Sequence, residues 1–202
     1  MAQYNIIAES QEYTVVSEYD HVATPAEAYQ SEADLEKEFI RLLGEQGYEY
    51  LPIHKETDLI SNLRAQLEKL NHYSFTDNEW EHFFNECIAN KNDDIVAKTQ
   101  KIQDDYIQVL KRDTGESQNI KLIDKDNIHN NFVQVINQYV EEGGNYDTRY
   151  DVSILVNGLP LVHIELKRRG VQLKEAFNQI NRYQRDSFWA GCGLYEYVQI
   201  FV

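Results

Sequence analysis

Apolar residues recur along this chain of 202 residues with two different periods, and the period changes near residue 104. In "SEADLEKEFIRLLGEQGYEYL", Leu35, Phe39, Leu42 and Leu43 form a stripe at helical spacing. Ser31 with Asp34 suits a helix N-cap, acids crowd the first turn where the helix dipole favours them, and Gly44 or Gly47 supplies the stop. Residues 56–102 also read as helical. Leu59, Leu63, Leu67 and Leu70 keep register there, and Thr76 with Glu79 forms a capping box. This stretch is expected to be a helical insertion, not a separate domain. Residues 1–30 read as an irregular lead-in with a short strand near "EYTVV".

Beyond residue 104 the period approaches two. "DYIQVLKRDTGESQNIKLID" predicts a hairpin around Thr114-Gly115. "NFVQVINQYV" predicts a strand, and the 150s and 160s two more. "VQLKEAFNQINRYQRDSF" predicts a helix, and "YEYVQIFV" a final apolar strand. The order strand, strand, strand, helix, strand belongs to an α/β fold in which the last crossover adds a parallel strand. The length suits one domain, residues 1–202. An end inside an apolar strand suggests the front portion of a longer polypeptide.

In "YDVSILVNGLPLVHIELKRRG", Val152, Ile154 and Val156 alternate with Asp151, Ser153 and Leu155. Val162, Ile164 and Leu166 alternate with His163, Glu165 and Lys167. A two-residue turn at Asn157-Gly158 would pair 156 with 159 and 152 with 163, mixing the faces. A three-residue loop with Gly158 in a G1 bulge pairs 155 with 159 and 151 with 163, and restores one apolar face. Asp151 then lies diagonal to Glu165, and Lys167 joins them. The plain alternative is a solvated sheet face, which a bare D…ExK spacing fits equally well.

If the trio converges, its chemistry is definite. Two close carboxylates repel, and a divalent cation relieves the repulsion. Oxygen-only ligands suit Mg²⁺, which takes phosphate oxygens readily. Lys167 would orient a water or stabilise developing charge, so the pattern fits phosphodiester hydrolysis. On the following helix Gln179 and Tyr183 lie four apart on one face, with Lys174 and Arg182 near them, able to contact a phosphate or hold the lysine. Each has a plainer reading as an ordinary core or surface residue.

The formal net charge of −15 argues against wholesale binding of polyanions. Locally the sign reverses: residues 167–185 carry +5, leaving −20 for the remainder. The hydrophobic share of 42% suffices for a real core. Cys87 and Cys192 match no zinc or redox spacing, and there is no apolar run long enough for a bilayer. The expectation is a reduced, cytoplasmic chain without membrane contact. A G-x4-G-K-[ST] loop is absent, so ATP is not expected to bind this segment.

Taken together, "YDVSILVNGLPLVHIELKRRG…EAFNQINRY" resembles the nuclease domain at the N-terminus of the restriction subunit of type I restriction–modification enzymes. "IAES", "YQSEADLEKEFIRLLGEQGYEYL" and "LIDKDN" extend the resemblance over essentially the whole chain. It implies a PD-(D/E)xK restriction-endonuclease-like core, a mixed sheet flanked by helices, with residues 104–202 as the catalytic sheet core. Asp151 takes the motif aspartate, Glu165 and Lys167 the E-x-K, and Gln179 and Tyr183 the Q-x3-Y of the RecB-like branch. Tyr150 stands where the motif name has proline. A first-helix acid sometimes completes such sites, and Glu36 and Glu32 both qualify. The resemblance implies Mg²⁺-dependent cleavage of double-stranded DNA by a type I site-specific deoxyribonuclease. It also implies an ATP-driven motor elsewhere in the subunit, with modification and specificity subunits as partners. The competing expectation is a catalytically silent nuclease fold that clamps DNA or docks subunits.

Overall fold

The computed structural model describes residues 4–9, 15–19, 31–141, 148–167, 178–179 and 193–202. The lead-in is more regular than its sequence suggests: β1 (Tyr4–Glu9) and β2 (Val15–Tyr19) form an antiparallel ribbon. Helix α1 spans Glu32–Glu45. The Ser31 hydroxyl accepts the Asp34 N–H at 3.1 Å, which satisfies one of the free amides of the first turn. At the other end Gly47, at φ +91, lets its own N–H and that of Tyr48 return to the carbonyls of Gly44 and Leu43, a Schellman stop. Leu43 is the buried anchor, with Phe39 and Ile40 packed beside it. Leu42, expected on that stripe, is exposed, because Ile40 lies closer to the sheet-facing line.

A five-stranded mixed sheet forms the centre, in the order β3 (Glu49–Tyr50), β6 (Val133–Glu141), β7 (Thr148–Val156), β8 (Leu159–Ile164), β9 (Ile200–Phe201). β6, β7 and β8 are antiparallel to one another, while β3 joins β6 and β9 joins β8 in parallel. The parallel last strand agrees with the sequence, but it is short. Most of "YEYV" forms a 3-10 turn at Leu194–Tyr197, whose Leu194, Tyr195 and Tyr197 are all buried.

Helix α1 covers one face of the sheet, against Val135, Val152 and Ile164. The helical region packs into a second, larger core that includes Ile136 and Leu155 of the sheet. It comprises α2 (Glu56–Asn71), α3 (Asp77–Phe83) running into a π-helical turn, and α4 (Ile95–Gln103). Leu59, Leu63 and Leu67 of α2 are fully buried. The Thr76–Glu79 capping box is present at α3. The expected hairpin is β4 (Ile107–Lys111) with β5 (Ser117–Lys121), turning through Gly115 at φ +86.

Candidate active site

The β7–β8 hairpin carries the acidic pair, and its register corrects the expected one. Val156 pairs with Leu159 across a two-residue turn, with Asn157 at φ +51 and Gly158 at φ +84, the two positive values a type I′ turn requires. One extra residue, Leu161, then enters β8 as a bulge between Pro160, opposite Leu155, and Val162, opposite Ile154. From there Val152 faces Ile164, so the apolar face is restored by a shift in the opposite sense to the expected loop. One step further Asp151 lies directly across from Glu165 instead of diagonal to it. Pro160 was the readable sign, since a proline inside a strand marks an edge or a bulge.

The turn is fixed from two sides. Asn157 is fully buried; its Oδ1 accepts the Phe132 N–H at 2.8 Å, and its Nδ2 donates to Leu122 O at 3.0 Å and Asn131 Oδ1 at 2.8 Å. Asn131 in turn exchanges hydrogen bonds with the backbone of Asp124. Gly158 lies against the backbone of Leu63 in α2.

The face carrying Ser153, His163 and Glu165 is not solvated. These residues are 1%, 0% and 7% exposed. Ser153 Oγ is hydrogen-bonded to Tyr195 Oη at 2.9 Å. The Tyr195 ring packs on Tyr139 and Tyr150, with centroids at 4.8 and 4.5 Å. Tyr150, next to Asp151, is thus part of the wall behind the site.

Asp151 Oδ2 accepts the Leu166 N–H at 3.0 Å. Glu165 holds its backbone N–H on Val202 O of the parallel neighbour at 2.9 Å. Its Oε1 accepts from Lys167 Nζ at 2.6 Å, and its Oε2 is buried without a hydrogen bond among the described residues, 3.6 Å from His163 Nε2. Burial, and then the charge of Glu165, push the Asp151 carboxyl up to about 6, offset only in part by the Leu166 amide. Burial acts upward on Glu165 too, but the His163 and Lys167 partners outweigh it and hold the group below the usual glutamate value. Burial works against the charge of Lys167, yet Glu165 first, then Asp151 and Glu32, keep its pKa above the lysine norm. Glu165 is therefore the more readily ionised of the two, and Asp151 the one that holds its proton longer.

The two first-helix acids separate clearly. Both oxygens of Glu36 are occupied: Asn137 Nδ2 donates to Oε1 at 2.6 Å and Gln138 Nε2 donates to Oε2. That clamp holds Gln138, whose φ of +52 is rare for a residue with a side chain, at the β6 position opposite Asp151. Glu32 instead lies within electrostatic reach of Lys167. Gln179 is helical and half-buried. Lys174, Arg182 and Tyr183 lie outside the described residues, as does Cys192. The one contributor that the sequence reading left without a role is His163, which follows the same i, i+2 alternation as Glu165.

Among the described residues no group of three or more His, Cys, Asp and Glu side chains is arranged to hold a metal ion. Two carboxylates remain, one with an oxygen that is buried and not hydrogen-bonded and the other raised in pKa by burial and then by its neighbour. That is the donor set of a cation that keeps most of its water, and it fits Mg²⁺ better than a metal that demands a full protein cage.

A mixed α/β core with a central five-stranded sheet flanked by helices, carrying one acid on a strand and a second acid and a lysine just past the end of its antiparallel neighbour, defines a nuclease-like class. The family described as the type I restriction enzyme R protein N terminus matches residues 29–202, and the chain belongs to that family. It is 48% identical over 197 residues to the type I restriction enzyme EcoprrI endonuclease subunit of Escherichia coli, a match spanning 97% of this chain and 63% of the relative. It is 38% identical over 179 residues to the SsaAORF53P endonuclease subunit of Staphylococcus saprophyticus, spanning 86% of this chain and 18% of the relative. The SauMSSORF170P subunit of Staphylococcus aureus is 37% identical over 180 residues, spanning 87% and 18%. The chain thus covers less than two thirds of the length of these relatives. No helix among the described residues is long and apolar enough to cross a membrane.

Proposed function

We propose that this chain is the nuclease domain of a type I restriction enzyme and hydrolyses phosphodiesters of double-stranded DNA with Mg²⁺ held by Asp151 and Glu165. The observation that carries this is the meeting, on a buried sheet face, of two carboxylates with a lysine 2.6 Å from one of them. The convergence supports a catalytic site over a silent clamp, for which splayed side chains would be expected. When bound, the cation supplies charge neutralisation at the phosphate and a more acidic water. The protein does the rest. The Leu166 amide orients Asp151, and the Val202 carbonyl anchors the Glu165 backbone. Lys167, kept charged by Glu165, places a fixed positive group where charge develops on the phosphate oxygens. A water gives up one proton to solvent as its oxygen bonds to phosphorus, the bond to the leaving sugar oxygen breaks, and that oxygen takes up a proton. Glu32 adds its negative charge to the field around the lysine, while Glu36 clamps the side-chain amides of Asn137 and Gln138.

The acidic body of the chain fits delivery of the duplex by other parts of the enzyme. Modification and specificity subunits would choose the site, and an ATP-driven motor lying outside this segment would bring the DNA. The cytoplasm is the compartment where such a complex meets DNA. The test is K167A and D151N in an R subunit bearing this segment, assembled with its partner subunits. Plasmid cleavage should fall about 10²–10³-fold, on the order of a lost transition-state contact, with DNA-stimulated ATP hydrolysis within about twofold. Loss of both activities together would point to a docking role.

A further inference from the structure

We infer that His163 is a positioning residue for Glu165: its imidazole Nε2–H is directed at Glu165 Oε2 and fixes the rotation of that carboxylate. This rests on the reading of Glu165 as a metal ligand. The geometry is specific. His163 is fully buried. Its ring is set edge-on against Tyr150 at 5.2 Å and Phe201 at 6.2 Å, so its plane is held by an aromatic neighbour on β7 and another on β9. Its backbone carbonyl accepts the Val202 N–H at 2.9 Å. Nε2 stands 3.6 Å from Glu165 Oε2, the oxygen that Lys167 does not take, longer than a hydrogen bond but a close polar contact between two fully buried side chains. A carboxylate free to rotate about its last bond offers either oxygen to a cation. One tied by an ammonium on Oε1, with an imidazole close beside Oε2, is held to a narrower range of rotation. Ligating carboxylates are commonly steadied in this way, and removing the supporting group typically weakens metal affinity by about 10–100-fold.

The experiment has two arms on the 202-residue chain. In the first, the metal-free protein is examined by long-range ¹H–¹⁵N spectroscopy of the imidazole. A protonated Nε2 is expected for His163, and E165Q should shift its nitrogen signal by several ppm while leaving the other histidines in place. An Nε2 lacking its proton, or a signal indifferent to E165Q, overturns the inference. In the second, Mn²⁺ alone is titrated by electron paramagnetic resonance. H163L should raise the Kd about 10–100-fold. H163Q, which retains an N–H donor, should stay within about threefold of the parent, and both variants should melt as cooperatively as the parent. Equal affinity in H163L, or equal loss in H163Q and H163L, overturns the inference. A parent chain that takes up no Mn²⁺ would instead remove the metal reading itself, and the first arm would still decide whether His163 and Glu165 are joined.

Discussion

Asp151 titrates higher than a free aspartate because burial and the charge of Glu165 both disfavour its ionised form, raising it to about 6 from 3.8. The folded chain therefore holds this proton more tightly than the unfolded chain does. As pH rises from about 4 to about 6 the unfolded state gives up its proton first, so folding loses stability across that window and does not regain it above. D151N removes the effect. In EDTA its melting temperature should match the parent at pH 4, rise above it through pH 6, and stay above it at pH 8. Adding Mn²⁺ at pH 8 should reverse the order, because only the parent carboxylate binds. Parallel melting profiles across the range would show that Asp151 ionises without strain. The same residue scale separates Glu36 from Glu32. Sequence alone offered both, because they stand one helical turn apart. Only the amides of Asn137 and Gln138, about 100 positions away, show where Glu36 is held.

At the scale of elements, the hairpin turn aims the acidic pair. A Cβ at Gly158 would meet Leu63 Cα at 2.6 Å and N at 3.1 Å, both backbone atoms of a buried helix. It would also occupy φ +84, where a side chain costs about 1–2 kcal/mol. With overpacking of about 1–3 kcal/mol, G158A should lose roughly 3 kcal/mol. At about 2–4 °C per kcal/mol for a chain of this size, the midpoint should fall by roughly 10 °C in a calorimeter. A loss below about 2 °C would mean that α2 and the turn separate easily. The elements themselves were readable, because helical caps, leucine spacing and strand alternation are local. The register was not. Hydrophobic alternation demanded a one-residue correction, but two corrections of opposite sense satisfy it. The choice was made by Asn157, whose burial in a network with Phe132, Leu122 and Asn131 requires the tight turn. For the same reason the polar alternation of Ser153, His163 and Glu165 resembled a wet surface. Of the tyrosines that cover it, Tyr139 comes from β6 and Tyr195 from the 3-10 turn, neither of them near in sequence.

Across the whole molecule, the segment at residues 193–202 links the helical region to the acidic pair. Lys98 of α4, fully buried, is paired with Glu196 of the 3-10 turn. Beside it, Tyr197 Oη donates to Ile88 O at 2.8 Å and Gln199 Nε2 donates to Thr99 Oγ1 at 3.2 Å. From the other side of the same segment Tyr195 reaches Ser153, and Val202 bridges His163 and Glu165 through their backbones. Replacing both charges by apolar groups is often neutral, but removing one leaves the other buried and uncompensated, at about 3–5 kcal/mol. K98M should therefore destabilise strongly, and K98M combined with E196L should recover most of the loss in chemical denaturation. The consequence should extend to the site. If Glu196 escapes to water in K98M, the 3-10 turn loosens first, and with it the strand that holds Glu165. Amide exchange at Glu165 and Val202 should then quicken in K98M more than exchange at Val135 or Ile136 in the sheet centre, and return towards the parent rate in the double variant. Uniform acceleration across the sheet would mean that the buried pair supports global stability alone and has no local hold on the carboxylates.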